Sequence, residues 1–493
     1  VRSVLKHFIF GQATSAIFGV TVTVILVREM SIPDYAAYAV LLGIALMIGS
    51  LSSLAIEQTS QRFLPEYLVR KEYGQLFSLT CTAVFVRSMS LFLVVLLFYI
   101  FETDIVEFFS INIAEHTFNL WLLATMLVIS YRFLNVLQQV FLQHKIIKWI
   151  GIGLNALRFM AVIGQLWVYK EISLLDLVWI EIYAHSISVF LSAIYLFRAV
   201  YMMAGKKLHR LRLAYVNKRI ASYIGYSFVR EVLYMFSGHA MNRLVIGKYM
   251  VLSGVAAFGF AQSLMEFASR YTPSILLNNM IQPVIMGRHA EKQDDQRLLG
   301  MAEFILRLNL LMLIPLVFIV LLVGESGSNY ITSGKYPDAG YYLSGLIVIL
   351  IFQSRLYFLQ LLASANELVQ PLMHGAVIAA LFLIPIIFLV YEYGVWGLIA
   401  GKLVQMFIRD RYIANYLRHR GVACDSGMIA NVKLFMCALV PFVILSVLEL
   451  KLDSGLMLLS IVAGYCAMFL TTVYFVMPFN VYERELVVRL LKK

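Results

Sequence analysis

Above all else, this chain is constrained by being a succession of long apolar runs with little between them. Read from apolar stretches and chain breakers, the runs cover residues 8–28, 36–57, 76–100, 118–142, 148–169, 174–198, 221–247, 253–280, 299–323, 341–364, 370–391, 395–417, 431–449 and 455–478. A helix needs roughly 20 apolar residues to cross a bilayer, and most of the runs reach that length. Backbone groups in hydrocarbon find no water, so only helices and closed barrels cross. Barrel strands would be about ten residues of alternating polarity, a pattern absent here. The expected fold is an all-α polytopic membrane protein of about 14 transmembrane helices. Composition agrees, with 61% hydrophobic and 14% charged residues, against about half and a quarter in soluble domains.

The net charge of +12 would suit a nucleic-acid binder, but its placement points elsewhere. Basic residues gather in alternate loops: Arg62, Arg70 and Lys71; Lys145 and Lys148; the block from Lys206 to Arg219; Arg288, Lys292 and Arg297; Arg409, Arg411, Arg418 and Arg420; and the tail from Arg484 to Lys493. The intervening loops hold only Arg28, Lys170, Lys248, Lys335 and Lys451, with the acidic run Glu102, Asp104, Glu107 and Glu115. Cytoplasmic loops carry the Lys/Arg excess, so both termini and the long central loop are expected on the cytoplasmic side. No nucleic-acid partner is called for.

Enzymatic chemistry finds little support. The four cysteines, Cys81, Cys424, Cys437 and Cys466, form no CxxC and no metal spacing, so no metal or cofactor is expected. Phosphate-binding, zinc-protease and nucleophile-elbow motifs are absent. Loops on the outer side of the membrane stay within about 17 residues, too short for the acceptor site of a glycosyltransferase or polymerase. Without an ATP site, transport would draw on an ion gradient, the membrane potential or removal of product.

The chain also repeats itself weakly. Arg28-Glu29-Met30-Ser31-Ile32-Pro33-Asp34-Tyr35-Ala36-Ala37-Tyr38 joins the first two runs. Lys248-Tyr249-Met250-Val251-Leu252-Ser253-Gly254-Val255-Ala256-Ala257-Phe258 joins the seventh and eighth, with the basic residue, the Ala-Ala pair and the aromatic each displaced by 220 residues. A looser match sets Arg132 against Arg355. Internal symmetry of this kind marks transporters built from repeated bundles. It divides the chain into a first half at 1–204, a basic cytoplasmic loop at 205–220, a second half at 221–420, and two further spans with a tail at 421–493.

The Pro33–Tyr38 joint, its second copy from Ile246 to Phe258, and the exit Pro283-Val284-Ile285-Met286 resemble motifs of polysaccharide-transport proteins. These are the Wzx-type oligosaccharide flippases of the multidrug/oligosaccharidyl-lipid/polysaccharide (MOP) exporter superfamily. Two positions depart from the common pattern: Ala36 follows Tyr35 where Gly is usual, and Asn242 stands where many members have Asp. The resemblance implies two six-helix lobes around a central cavity, with two extra C-terminal helices. It implies a polyprenyl-pyrophosphate-linked oligosaccharide as substrate, flipped across a bacterial inner membrane for O-antigen, capsule or exopolysaccharide synthesis. Membrane lipids, a polymerase and a chain-length regulator are the partners it implies. A lipid II flippase or another exporter of the superfamily is the alternative, and a polymerase or glycosyltransferase the less favoured one.

Such a cargo must be dressed to cross hydrocarbon, because unsatisfied polar groups there cost several kcal/mol each. Arginine suits a pyrophosphate, since its planar fork bonds two oxygens and stays charged. Arg87, Arg132 and Arg158 in the first half and Arg230, Arg270 and Arg355 in the second lie deep in the runs, and as a group they are the candidate substrate-binding cations. For each taken singly, a structural ion pair or carbonyl clamp is the competing role. Arg243, Arg307 and Lys402 lie nearer helix ends and are read as reaching the headgroups. Glu266 with Arg270 and Glu303 with Arg307 are self-neutralising i,i+4 pairs. Glu181 and Glu231 are the candidate ion-coupling carboxylates; His185 lies one turn after Glu181.

Overall fold

The computed structural model describes residues 17–111, 113–141, 143–204, 218–274, 295–366, 368, 370–424, 427–448 and 454–479. Among these the only regular secondary structure is helical, and the chain divides into two compact units, Val1–Ala256 and Ala257–Lys493. Among the described residues ten helices are long and apolar enough to cross a membrane.

In the first unit, α1 covers residues 17–29 and α2 is Ile32–Leu51. The repeat motif forms their joint. Ser31 caps α2, its hydroxyl oxygen accepting the Asp34 amide at 3.2 Å, and Pro33 sits in the first turn, where its missing N–H is no loss. Tyr35, Ala36 and Ala37 are buried at once, which accounts for the aromatic and small residues there. α2 stops short of the expected end at residue 57. Leu54 and Ala55 take left-handed backbone angles, φ 46° and 56°, and α3, Ile56–Val69, starts afresh. The unit continues with α4, Tyr73–Ile100, the short α5, Glu102–Phe109, then α6, Glu115–Val140, α7, His144–Tyr169, and α8, Leu174–Ala204. Most of the basic block from Lys206 to Arg219 lies outside the described residues.

The expected span 221–247 is two helices, α9, Lys218–Met235, and α10, His239–Tyr249. Gly238 between them is extended, and the Ser237 hydroxyl bonds the Tyr234 carbonyl at 3.1 Å. This turn next to a short polar side chain overrides the continuous apolar pattern. α9 packs on α2 and α3, and α10 lies along α2. The latter crossing is close: a Cβ on Gly247 would sit 2.6 Å from Val40 Cγ2, and one on Gly43 3.0 Å from Arg243 Cβ. Small residues allow this approach where no hydrophobic gradient drives helices together. Lys248 ends α10 with its ammonium on the Phe108 carbonyl at 2.5 Å and over the Phe108 ring, tying α5 to it.

The second unit takes most of α11, Leu252–Arg270, then α12, Asp295–Thr332, α13, Ala339–Ala365, α14, Gln370–Leu381, α15, Leu383–His419, α16, Met428–Val447, and α17, Gly455–Val476. Pro283 and the exit motif lie outside the described residues. α15 is not one straight helix. Gly394 has φ 60° and ψ −138°, a region open essentially to glycine. Gly401 lies against Ile386, and Gly397 against the Leu389 carbonyl. Pairs closing symmetrically about Gly394 make an antiparallel hairpin, so Gln370–His419 supplies two crossings, as the runs at 370–391 and 395–417 require. α16 and α17 pack on each other and on α12; the Tyr465 hydroxyl bonds the Ala438 carbonyl at 2.9 Å, and Phe318 contacts the rings of Phe435 and Phe442.

Candidate functional site

The break between α2 and α3 gathers the richest polar cluster of the first unit. Leaving the helix frees backbone groups that side chains must satisfy. The Ser53 hydroxyl oxygen accepts the Ala55 amide at 3.1 Å, and the Ser90 hydroxyl donates to the Ser52 carbonyl at 2.6 Å. Arg87, on α4 and only 3% exposed, clamps the end of α2. It donates to the Ser52 hydroxyl at 2.9 Å, to the Gly49 carbonyl at 3.3 Å and to Glu57 at 3.4 Å. From α9, Glu231 reaches the same place. One carboxylate oxygen accepts the Ser53 hydroxyl at 2.6 Å and the Gln58 amide at 3.1 Å.

A second cluster joins α7 to α8. Arg158 and Glu181 form an ion pair, and His185 Nδ1 lies 3.1 Å from the other Glu181 oxygen and 3.0 Å from its carbonyl. The Tyr131 ring on α6 meets His185 edge-on. The one-turn spacing of Glu181 and His185 was legible in the chain; the Arg158 partner was not. Thus Arg87, Arg158 and Glu181 all find partners inside the bundle. Arg230 is half-buried and Arg132 has an exposed side chain.

In the second unit, Arg355 on α13 is half-buried and Arg270 at the end of α11 is exposed. Glu266 accepts the Gln262 amide at 2.9 Å. Four cations are placed differently from the reading of the chain. Arg243, in the first unit, and Arg307 and Lys402 are buried, Lys402 at 2% exposure, and do not reach out to headgroups. Arg409, assigned to a cytoplasmic loop, is buried on α15. The physical reason is partner geometry. Arg307 bonds Glu303 at 3.2 Å and lies under Gly427, which has no side chain to displace it. Arg409 bonds the neighbouring Asp410 twice at 3.0 Å and lies against Gly375 of α14. Arg355 is in electrostatic reach of Asp410, and Arg409 of Lys402. Glu57, Gln58 and Asp410 were not singled out from the chain, since each sits where a run ends and reads as interfacial.

Among the described residues no group of three or more His, Cys, Asp or Glu side chains is arranged to hold a metal.

No family model and no curated protein sequence matches this chain. Solved structures do. The lipid II flippase MurJ in an inward closed conformation aligns with a TM-score of 0.69 at 12% identity, over 97% of this chain and 99% of that one. An inward-facing multidrug resistance MATE family transporter of the MOP superfamily aligns with a TM-score of 0.64 at 9% identity, over 82% of this chain and 95% of its own. The Vibrio cholerae MATE transporter VcmN in the bent form gives 0.51 at 14% identity, over 85% of this chain and 98% of its own. At these identities the likeness is one of fold: this chain has the multi-pass fold of MurJ and the MATE transporters.

Proposed function

We propose that this chain is a flippase that carries a polyprenyl-pyrophosphate-linked oligosaccharide across a bacterial inner membrane, for assembly of a surface polysaccharide. The observation that carries the reading is the extent of the fold likeness. The lipid flippase accounts for 97% of this chain, whereas the MATE transporters reported above account for 82% and 85%. The cation excess inside the apolar runs adds support, because a cationic drug would be repelled where a pyrophosphate is held. The substrate cations are drawn from the candidate arginines, with Arg132, Arg230, Arg270 and Arg355 favoured by their open or half-open side chains. Rocking of the two halves provides alternating access, the sugar and pyrophosphate travelling among the cations while the lipid tail stays in hydrocarbon. A polymerase and a chain-length regulator then act on the delivered unit, and both chain termini face the cytoplasm.

The test uses a strain lacking this protein. Completed lipid-linked units should accumulate and resist a glycosidase added outside intact spheroplasts. Units that are trimmed have already crossed, and the flippase reading fails. Arg132→Gln and Arg355→Gln should reproduce the protected accumulation with the protein still in the membrane. Lipid II is a second cargo, favoured by the MurJ likeness. Restored growth of cells depleted of their own lipid II flippase would select it.

A further inference from the structure

In the second unit, α13 and α15 bring together more cations than anions. Arg409 and Asp410 are neighbours on α15, 3% and 2% exposed, and Arg355 on α13 lies in electrostatic reach of Asp410. Both guanidiniums stay charged, and among the described residues no second carboxylate pairs with either. Lys402, earlier on α15, stands in electrostatic reach of Arg409. Arg355 makes no hydrogen bond and no ion pair among the described residues, and its half-buried side chain leaves it approachable. Holding surplus charge in a dry interior costs several kcal/mol per ion unless an anion answers it.

Asp410 answers it incompletely. Arg409 reaches Asp410 through Nε and Nη2, both at 3.0 Å and both on Oδ1. The Arg409 Nη1 makes no hydrogen bond among the described residues. Asp410 Oδ2 is buried and has no hydrogen-bond partner either. The reason is local. Side chains of adjacent helical residues point about 100° apart, so this pair does not close into the two-oxygen fork of a strong guanidinium–carboxylate bond. One edge of Arg409 and the whole of the Arg355 guanidinium are left for another anion. The two arginines also stand level. α13 and the second arm of α15 run in the same direction, with one crossing between them. At 1.5 Å per residue, Arg355 lies about 24 Å from the start of α13 and Arg409 about 22 Å from the Gly394 turn.

We propose that Arg355 and the Nη1 edge of Arg409 bind a phosphate-class anion, and that Asp410 sets how tightly it is held. A phosphate suits the pair because its oxygens spread tetrahedrally and accept from two guanidiniums at once. Asp410 acts on this site in two ways. Its Oδ1 holds the Nε side of Arg409, which fixes the Nη1 edge for the ligand. Its negative charge opposes the bound anion, which lets the ligand leave again. The site itself does not rest on the function proposed above; the identification of its ligand with the cargo's pyrophosphate does. A phospholipid headgroup offers the same chemistry.

The experiment is calorimetric titration of the full chain, in maltoside micelles without cargo, with inorganic pyrophosphate. Asp410→Asn keeps an oxygen for Arg409 and removes the charge, so the affinity should rise about tenfold or more. A purely structural role for Asp410 predicts no such gain. Affinity that is unchanged or lower in Asp410→Asn, or no binding by either protein, overturns the proposal. Where Asp410→Asn does not fold, Arg355→Gln carries the test: it should weaken pyrophosphate binding about tenfold or more, and unchanged affinity overturns the site. Phosphatidylglycerol added to the micelles, against phosphatidylcholine, separates the two sources of phosphate. Displacement of pyrophosphate by phosphatidylglycerol in the unaltered protein but not in Arg355→Gln assigns the site to a headgroup and removes the link to cargo. Pyrophosphate binding that phosphatidylglycerol leaves intact supports that link. Because no cargo is present, the titration stands whatever the spheroplast assay returns.

Discussion

The Arg158–Glu181 pair gives the sharpest quantitative test of the first unit. Its members come from α7 and α8, with side-chain exposures of 20% and 7%. Removing one partner of a buried pair leaves a stranded charge and costs about 3–5 kcal/mol, while replacing both by apolar side chains of similar volume is neutral or stabilising. The two single substitutions should not be equal. In Arg158→Met, Glu181 keeps His185 at 3.1 Å as a hydrogen-bond partner, so the loss falls near about 3 kcal/mol. In Glu181→Met, the guanidinium loses its anion, and its buried Nε already lacks a hydrogen-bond partner, so the loss lies toward about 5 kcal/mol. His185 is not stranded in that variant, because the carbonyl of residue 181 remains 3.0 Å from Nδ1.

The assay is equilibrium unfolding of detergent-solubilised protein, run on both single substitutions and the double. The double substitution should return to within about 1 kcal/mol of the unaltered protein, a large departure from additivity. If either single variant unfolds within about 1 kcal/mol of it, the value of an exposed pair, the buried-pair reasoning is wrong. The double variant also separates two roles. Should it fold and still flip cargo, Arg158 is a strut between α7 and α8. A double variant that folds but does not flip makes Arg158 a substrate ligand that Glu181 holds in reserve.

Two further substitutions probe the helix framework. Gly394→Ala places a Cβ at φ 60° and ψ −138°, where strain is about 1–3 kcal/mol. It should lower the unfolding midpoint and raise protease cleavage at the α15 turn; unchanged cleavage and stability would deny the hairpin. Gly247→Val adds side-chain atoms where a Cβ alone would meet Val40 Cγ2 at 2.6 Å. The expected overpacking loss is about 1–3 kcal/mol, and the companion change Val40→Ala should restore much of it. Failure of that rescue would show that α2 and α10 do not cross there.

The crossings were legible because hydrocarbon reads apolarity over roughly 20 residues, and few alternatives satisfy that constraint. The hairpin at Gly394 was legible too, since Tyr391-Glu392-Tyr393-Gly394 interrupts the pattern with a charge and a glycine. The turn at Leu54 and Ala55 was not, because neither residue favours left-handed angles. Tertiary partners impose that turn: Arg87 on the Gly49 carbonyl and Ser90 on the Ser52 carbonyl. The same limit hid the burial of Arg243, Arg307, Lys402 and Arg409. Position along a run gives depth in the bilayer, but partner and facing direction come from other helices. Within the candidate site, the chain named Arg87, Arg158, Glu181 and Glu231 as groups of interest without sorting them. What sorts them is the number of donors each meets. Glu181 meets a guanidinium and an imidazole. Glu231 takes its hydrogen bonds from a hydroxyl and an amide, with Glu57 and Arg87 in electrostatic reach. Of the two, Glu231 is therefore the carboxylate held by the weaker set of donors.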